Sequence, residues 1–224
     1  MGGNADTGGI AMAHTLRHGL YFAADTSLLG DPEIYQVTRE ALAGGVVLVQ
    51  LRAKGVERGE TTRIARGLVS VCDDGGVPLL VNDVPEVAAD AGAAGVHVGQ
   101  EDVSVAQARR TLGPDAIIGA TTPTPETVRR AEAEGADYVS AGPMFRSPTK
   151  PDKPVAGPEL ARRVRRLTDL PLCAIGGITA ANVGELGGCG VDLVCVISAI
   201  ATADDPQAAT EEIIAAMTEA GVAT

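Results

Sequence analysis

The chain has 224 residues, of which 45% are hydrophobic and 21% are charged, as expected for one soluble globular domain with a well-buried core. Its formal net charge is −11 at pH 7, and only 2% of its residues are aromatic, with no tryptophan. Nucleic-acid-binding proteins usually carry a basic surface and stacking rings, so this composition argues against a nucleic-acid partner.

The first segment, residues 1–19, is rich in glycine and other small residues and lacks the basic-then-apolar plan of a signal peptide. We expect a flexible N-terminal leader, followed by a single catalytic domain over residues 20–224. No stretch approaches the roughly 18 apolar residues of a membrane span, so no membrane association is expected, and the cytoplasm is the default compartment. The four cysteines have no metal-ligand spacing and are expected to be buried, reduced thiols.

From residue 20 onward, short apolar runs alternate with helical stretches rich in Ala, Glu and Arg. The predicted strands are Leu20–Ala24, Val46–Leu51, Pro78–Val81, Gly95–Val98, Ala116–Ala120, Tyr138–Ala141, Pro171–Ile175 and Leu193–Ile197. The predicted helices are Pro32–Ala43, Arg58–Asp74, Pro85–Ala91, Val105–Leu112, Pro125–Glu134, Pro158–Leu167, Ala180–Gly187 and Pro206–Ala220. Near-continuous apolar strands are typical of a parallel sheet covered by helices. This alternation predicts an α/β fold, a closed (β/α)8 TIM barrel, rather than an open doubly wound sheet.

The second predicted strand ends in basic residues. Only three lysines occur in the chain, Lys54, Lys150 and Lys153, and each follows a predicted strand. In a TIM barrel the active site lies at the carboxyl ends of the strands, where Arg52 and Lys54 would stand together. The donor fork of the arginine and the point charge of the lysine suit a pyrophosphate. A few cations in an acidic protein predict a focused site for a small anion.

Two carboxylates follow the next strands. Asn82 and Asp83 end the third strand, and Asp102 follows the fourth. Either aspartate alone would more often be a helix N-cap, but the two are expected side by side on neighbouring strands, next to the basic pair. Mg²⁺ binds through a few carboxylates, waters and substrate phosphates. Asp83 and Asp102 are therefore predicted Mg²⁺ ligands, and Asn82 is a predicted donor to a phosphate oxygen.

A second anionic site is predicted around the last three strands. The loop after the sixth strand carries Ser147, Thr149 and Lys150, which can bind a phosphate or carboxylate while the loop closes over a substrate. Gly177 follows the seventh strand and Ser198 the eighth, where barrels commonly bind phosphate. Together the two sites suggest that a pyrophosphate-bearing electrophile is joined to a phosphate-bearing nucleophile.

Eight short stretches, in order along the chain, carry a resemblance to a known family. Each is short, but the ordered set is specific, and the chain resembles the thiamine phosphate synthases from about Leu20 to the end of the last helix. The matching stretches are LYF (20–22), VQLRAK (49–54), VND (81–83), GVHVGQED (95–102), GADYV (135–139), SPTK (147–150), AIGGI (174–178) and VISAI (196–200).

The resemblance implies a (β/α)8 barrel enzyme that requires Mg²⁺ and joins an aminopyrimidine-methyl pyrophosphate to a thiazole phosphate, releasing thiamine phosphate and pyrophosphate. It places Gln50 against the pyrimidine and Asp83 and Asp102 on the metal. The residues it implies at the pyrophosphate, which we expect to act in catalysis, are Arg52, Lys54, Asn82 and Lys150. Those it implies at the thiazole phosphate are Ser147, Thr149, Gly177, Ile197 and Ser198. His97, in mid-strand, is expected to line the barrel or its core.

The sequence departs from the family pattern after the fifth strand, where Thr121-Thr122-Pro123 replaces the usual Ser-Thr-His. Thr121 keeps a hydroxyl for a pyrimidine or pyrophosphate contact, whereas Pro123 cannot act as an acid or base. Two other departures are Val84, where a charged residue is common, and Ser147, where Thr is usual.

Two other functions stay open from the sequence. One is a thiazole tautomerase-like barrel, and the other is a non-catalytic barrel that binds phosphorylated metabolites. All of the residues predicted to bind the pyrophosphate and the metal are present, which favours the synthase. Its partners would be small-molecule substrates. The sequence leaves the oligomeric state undecided, with a homodimer among the alternatives.

Overall fold

The computed structural model describes residues 16–146 and 155–223 of the chain. Eight parallel strands close into a barrel in which each strand pairs with its neighbours in the sequence and β1 pairs with β8. The predicted α/β barrel is therefore confirmed. The strands are β1 (Gly19–Asp25), β2 (Leu48–Arg52), β3 (Leu79–Asn82), β4 (Gly95–Val98), β5 (Ile117–Thr121), β6 (Tyr138–Ala141), β7 (Leu172–Ile175) and β8 (Leu193–Val196).

Helices follow the strands and cover the outside of the barrel. They are α1 (Glu33–Gly44), α2 (Arg58–Asp74), α3 (Pro85–Ala91), α4 (Val105–Leu112), α5 (Pro125–Ala133), α6 (Pro158–Arg165), α7 (Ser198–Ala201) and α8 (Pro206–Glu219). Proline occupies the first turn of α3, α5, α6 and α8. An N–H in the first turn has no acceptor within the helix, so its absence in proline costs no hydrogen bond. None of the helices in the described residues is long and apolar enough to cross a membrane.

Two elements near the carboxyl terminus differ from the prediction. The predicted helix Ala180–Gly187 is only a 3-10 turn over Val183–Leu186, because glycines within and just after it give little helical stability. The Asn182 side chain accepts a hydrogen bond from the Thr179 N–H (2.9 Å), which holds the preceding residues in a turn. The eighth strand stops at Val196 and is followed by the unpredicted short helix α7.

The barrel interior has an apolar floor and a polar top. Side chains alternate along each strand, so one face of the sheet packs against the helices and the other fills the barrel. Near the amino ends of their strands, the interior is filled by Leu48, Leu80, Ile117 and Leu193. Polar side chains follow toward the carboxyl ends, where active sites of this architecture lie. All four cysteines are buried and free, as predicted.

Candidate active site

A cavity of about 490 Å³ opens at the carboxyl ends of the strands, within the range typical of small-molecule sites. Its walls come mainly from β2 to β5, with contributions from β1 and β6 to β8. The structure thus brings together the predicted residues of the metal and pyrophosphate site that lie on these strands. These are Gln50, Arg52, Lys54, Asn82, Asp83, Asp102 and Thr121.

Arg52 is held by an acidic residue that the sequence interpretation missed. Its guanidinium forms an ion pair with Asp25, whose carboxylate is buried, with 4% exposure. The second oxygen of this carboxylate accepts hydrogen bonds from Ser27, through its N–H (2.9 Å) and its hydroxyl (2.7 Å). Because Asp25 engages only one terminal nitrogen of the fork, the remaining donors are available to a ligand in the cavity.

Lys54 is paired as well, but at the surface of the cavity. Its ammonium nitrogen lies 3.0 Å from a carboxylate oxygen of Asp83, and 57% of the lysine side chain is exposed. Asp83 has a φ of 68°, in the left-handed region that short polar residues such as aspartate tolerate best. Its N–H donates to the His97 carbonyl (2.8 Å), which holds this unusual backbone turn between β3 and α3 against β4.

Asp83 and Asp102 form the predicted pair of carboxylates. Burial, followed by the neighbouring Asp102 carboxylate, raises the pKa of Asp83, while Lys54 opposes the rise. Asp102 is anchored by the Gly99 N–H, which donates to it at 2.8 Å. Two adjoining carboxylates are the kind of oxygen donors that a hard divalent cation favours. They therefore fit Mg²⁺.

The number of protein ligands also suits Mg²⁺. Over residues 16–146 and 155–223, no group of three or more His, Cys, Asp or Glu side chains could hold a metal ion. Mg²⁺ commonly takes one or two carboxylates and completes its shell with water and substrate phosphate oxygens. Two adjoining aspartates at the edge of a cavity are compatible with that coordination.

A chain of side-chain hydrogen bonds crosses the barrel beneath this cavity. The Tyr21 hydroxyl donates to the Gln50 carbonyl oxygen (2.8 Å) and lies 3.2 Å from the Tyr138 hydroxyl. The Gln50 amide group donates to Asn82 Oδ1 (2.9 Å). On the other side, His97 Nδ1 lies 2.9 Å from the Tyr138 hydroxyl.

His97 lines the cavity, as expected from its place in β4, and it is neutral. Its Nε2 lies 3.0 Å from the Thr121 hydroxyl and 3.4 Å from the Ser140 hydroxyl. Burial lowers the pKa of His97 from 6.5 to about 4, because the charged ring loses its hydration there. At neutral pH this ring has one donor and one acceptor nitrogen.

The depressed pKa of His97 predicts an acid-dependent loss of stability. The unfolded chain binds the proton more readily, so stability should fall as the pH drops from about 6.5 to about 4, by at most ~3 kcal/mol. Urea unfolding across this range should show a smaller decline in a His97→Gln variant than in the wild type. Equal slopes in the wild type and His97→Gln would contradict the assignment.

A second cavity of about 580 Å³ lies beside the first, at the ends of β6 to β8. Gly177, Ile197 and Ser198, all predicted to bind a phosphate, line it. The loop that carries Gly177 is held by Asn182, whose amide donates to the Gly177 carbonyl (2.9 Å). The two cavities share a wall made of Thr121, Ile175, Cys195 and Ile197.

The Gly176–Gly177 pair has a packing role that the sequence interpretation did not foresee. Both residues have positive φ, 102° and 68°. A Cβ on Gly177 would lie 2.5 Å from the Phe145 carbonyl oxygen, and one on Gly176 would lie 2.7 Å from Pro143. These glycines therefore let the loop after β6 lie directly on the loop after β7.

The remaining predicted residues, Ser147, Thr149 and Lys150, lie outside the described residues, as does Lys153. The described ends of their loop are at the barrel mouth. Arg146 lines the second cavity, and the Ala156 N–H donates to the Pro143 carbonyl (3.0 Å).

The sequence matches the family model described as thiamine monophosphate synthase over residues 20–200. The chain is 39% identical over 202 residues to a thiamine-phosphate synthase of Roseiflexus sp., covering 90% of this chain and 86% of that protein. It is 44% identical over 186 residues to a thiamine-phosphate synthase of Marinobacter nauticus, covering 83% of each. Its structure is similar to that of a thiamine phosphate pyrophosphorylase from Pyrococcus furiosus, with a TM-score of 0.81, 35% identity and coverage of 90% of this chain and 96% of that one.

Proposed function

Because the chain belongs to the thiamine monophosphate synthase family, a family of transferases, we propose that it joins an aminopyrimidine-methyl pyrophosphate to a thiazole phosphate. The products are thiamine phosphate and pyrophosphate. The observation that carries this proposal is the pair of adjoining cavities, one lined by cations and paired aspartates and the other by the loops after β7 and β8. Two phosphorylated substrates bound there would meet at the common wall.

The first cavity suits the pyrophosphate end of the electrophile. Arg52, Lys54 and Asn82 converge on it as donors, and Gln50 lies deeper, where the pyrimidine ring would sit. The cavity also holds three carboxylates, from Asp83, Glu101 and Asp102, so its two cations alone do not make it attractive to a polyanion. Mg²⁺ held by Asp83 and Asp102 would supply the missing positive charge and stabilise the departing pyrophosphate.

The common wall suits a dissociative substitution. As the pyrophosphate leaves, the amino-substituted pyrimidine stabilises the positive charge on its methylene carbon. Ile175, Ile197 and Cys195 give this wall an apolar surface, which limits capture of the cation by water. The thiazole nitrogen, held at close range, forms the new carbon–nitrogen bond with its lone pair.

The reaction requires no general base, which agrees with the residues present. Burial lowers the pKa of His97 to about 4, which makes it a weak base, and both of its ring nitrogens contact protein hydroxyls. Pro123 lies on the surface side of the fifth strand, among residues of α5 and α6, and has no titratable side chain. A tautomerase-like barrel needs a proton shuttle, and a metabolite sensor does not need paired aspartates, so both alternatives are less well supported.

Pyrophosphate release tests the proposal. We expect the purified protein to release pyrophosphate only when the pyrimidine pyrophosphate, the thiazole phosphate and Mg²⁺ are all present, with an equal amount of thiamine phosphate formed. Omission of each component in turn provides the control. Conversion of the thiazole phosphate alone would indicate a tautomerase, and tight binding of either substrate without turnover would indicate a sensor.

Ser198 provides a separate prediction for the second cavity. Its side chain has no hydrogen-bond partner among the described residues, while its carbonyl accepts from Thr202 (2.9 Å). Loss of one hydroxyl donor to a phosphate should raise the KM for the thiazole phosphate by roughly tenfold in Ser198→Ala. The KM for the pyrimidine pyrophosphate should not change. Thr202→Ala, at the rim of the same cavity, is the matched control, and an unaltered thiazole KM in Ser198→Ala removes that residue from the site.

A further inference from the structure

We propose that the hydrogen-bonded chain through His97, Tyr138 and Tyr21 is polarised in one direction and orients the amides of Gln50 and Asn82. In this role Tyr21, Tyr138 and His97 are positioning residues, because they act on a ligand through the two amides. The inference deepens the proposed function, since it rests on Asn82 binding the pyrophosphate.

The direction follows from counting hydrogens. A tyrosine hydroxyl has one hydrogen, and that of Tyr21 goes to the Gln50 carbonyl oxygen. Tyr21 can therefore only accept from Tyr138, which uses its own hydrogen in doing so. Tyr138 in turn can only accept from His97, so the proton of the neutral ring lies on Nδ1.

The two ends of the chain then have opposite character. With its proton on Nδ1, His97 accepts at Nε2 from the nearer of two hydroxyls, Thr121. Thr121 consequently offers the cavity only lone pairs, which suit an amino group such as that of an aminopyrimidine. At the far end, Asn82 receives the Gln50 amide on its oxygen, so its NH2 group is directed to the ligand, as an anionic phosphate requires.

The surroundings of the chain restrict it to two arrangements, in which all of its links point one way or all point the other. Tyr138 is fully buried and Tyr21 is 2% exposed, so water does not compete for their hydroxyls. Space for the Tyr138 ring is created by Gly119, where a Cβ would lie 2.1 Å from the ring. In the described residues, every buried side-chain nitrogen and oxygen has a partner, which makes reversal of one link unfavourable unless all links reverse.

Complete reversal is the alternative, and it has a distinct consequence. If each hydrogen pointed the other way, His97 would carry its proton on Nε2 and donate to Thr121. The Gln50 and Asn82 amides would both be flipped, and the Asn82 carbonyl oxygen would face the cavity. A carbonyl oxygen there would repel a pyrophosphate. Only the first direction is therefore compatible with pyrophosphate binding at Asn82.

Nitrogen NMR of the ligand-free protein distinguishes the two directions. The chain has three histidines. In a His14→Gln/His18→Gln variant only His97 remains, so its ring signals are assigned directly. We expect a protonated, pyrrole-like Nδ1 and a bare, pyridine-like Nε2 at neutral pH. A protonated Nε2 overturns the proposal. The measurement needs no substrate, so its result is independent of whether the proposed reaction takes place.

Kinetics of tyrosine variants test the consequence for the substrate. Tyr21→Phe removes the donor to Gln50 and should lower kcat/KM for the pyrimidine pyrophosphate by roughly tenfold, with an unchanged KM for the thiazole phosphate. Tyr138→Phe leaves that donor in place and should have a smaller effect. The double variant should match Tyr21→Phe within about twofold, because links in one chain are not additive.

Tyr35→Phe is the matched control, since Tyr35 is the third tyrosine of the chain and lies on α1, away from the cavity. It should leave both substrate constants unchanged. If Tyr21 and Tyr138 had only a structural role, their substitution would alter thermal stability and would affect the kinetic constants of both substrates alike. Unchanged kcat/KM in Tyr21→Phe, or single effects that multiply in the double variant, contradicts the orienting role.

Discussion

An Asp83→Asn variant is expected to lose about a hundredfold or more in kcat while remaining at least as stable as the wild type. Asparagine is nearly the same size and also tolerates the left-handed backbone found at this position (φ 68°). The substitution therefore removes one negative charge from the predicted metal pair with little change in structure. Groups that stabilise developing charge in a reaction commonly contribute a factor of ~10²–10³.

The stability half of this prediction follows from the pKa of Asp83. Burial and the Asp102 carboxylate raise this pKa in the folded protein, so the native state holds a proton more readily than the unfolded chain. Stability then falls as the pH rises from the unfolded value through the folded value, and at neutral pH the charged form opposes folding. A neutral amide avoids that penalty and can donate a hydrogen bond to Asp102.

The measurement combines turnover at several Mg²⁺ concentrations with thermal unfolding in Mg²⁺-free buffer at neutral pH. The wild type should be stabilised by added Mg²⁺, and Asp83→Asn should respond only at much higher concentrations. Asp90→Asn is the control, because Asp90 forms an exposed ion pair with Arg58 (2.9 Å) and does not line the cavity. Wild-type kcat with an unshifted Mg²⁺ requirement in Asp83→Asn would remove it from the metal site.

The residues at the strand ends could be predicted because of a general property of parallel barrels. The carboxyl ends of adjacent parallel strands share one rim, so Arg52, Asn82 and Asp102 had to lie near one another once their strands were recognised. The chemistry of each side chain then predicts its role, which stays a prediction. Near-continuous apolar strands and proline-started helices made that recognition straightforward.

What could not be predicted depends on the register of the strands and on which way side chains point. Asp25 contacts Arg52 because the two residues are partners in the β1–β2 pairing, which no local pattern reveals. Tyr21 and Tyr138 look like ordinary strand residues in the sequence, and only closure of the barrel brings their hydroxyls together. The helix predicted over 180–187 was wrong for a different reason. Its glycines are visible in the sequence, and their low helix propensity argues against a helix there.

The second large effect is expected from Arg52→Met, which should both abolish turnover and destabilise the fold. Asp25 is buried and would lose the guanidinium that compensates its carboxylate. Removal of one member of a buried pair typically costs about 3–5 kcal/mol, and roughly 3 is expected for this pair because the arginine side chain is 19% exposed. Urea unfolding measures the loss of stability, and pyrophosphate release measures turnover.

The double variant Asp25→Asn/Arg52→Met separates the two roles of Arg52. With the buried charge removed, the free energy of unfolding should recover to within about 1 kcal/mol of the wild-type value, because a neutral pair of similar volume replaces the ion pair. Turnover should stay at the level of Arg52→Met, since the guanidinium fork that faces the pyrophosphate is still missing. Recovery of turnover together with stability would mean that Arg52 serves the fold alone. Failure of the free energy of unfolding to recover would mean that Asp25 and Arg52 do not act as a pair.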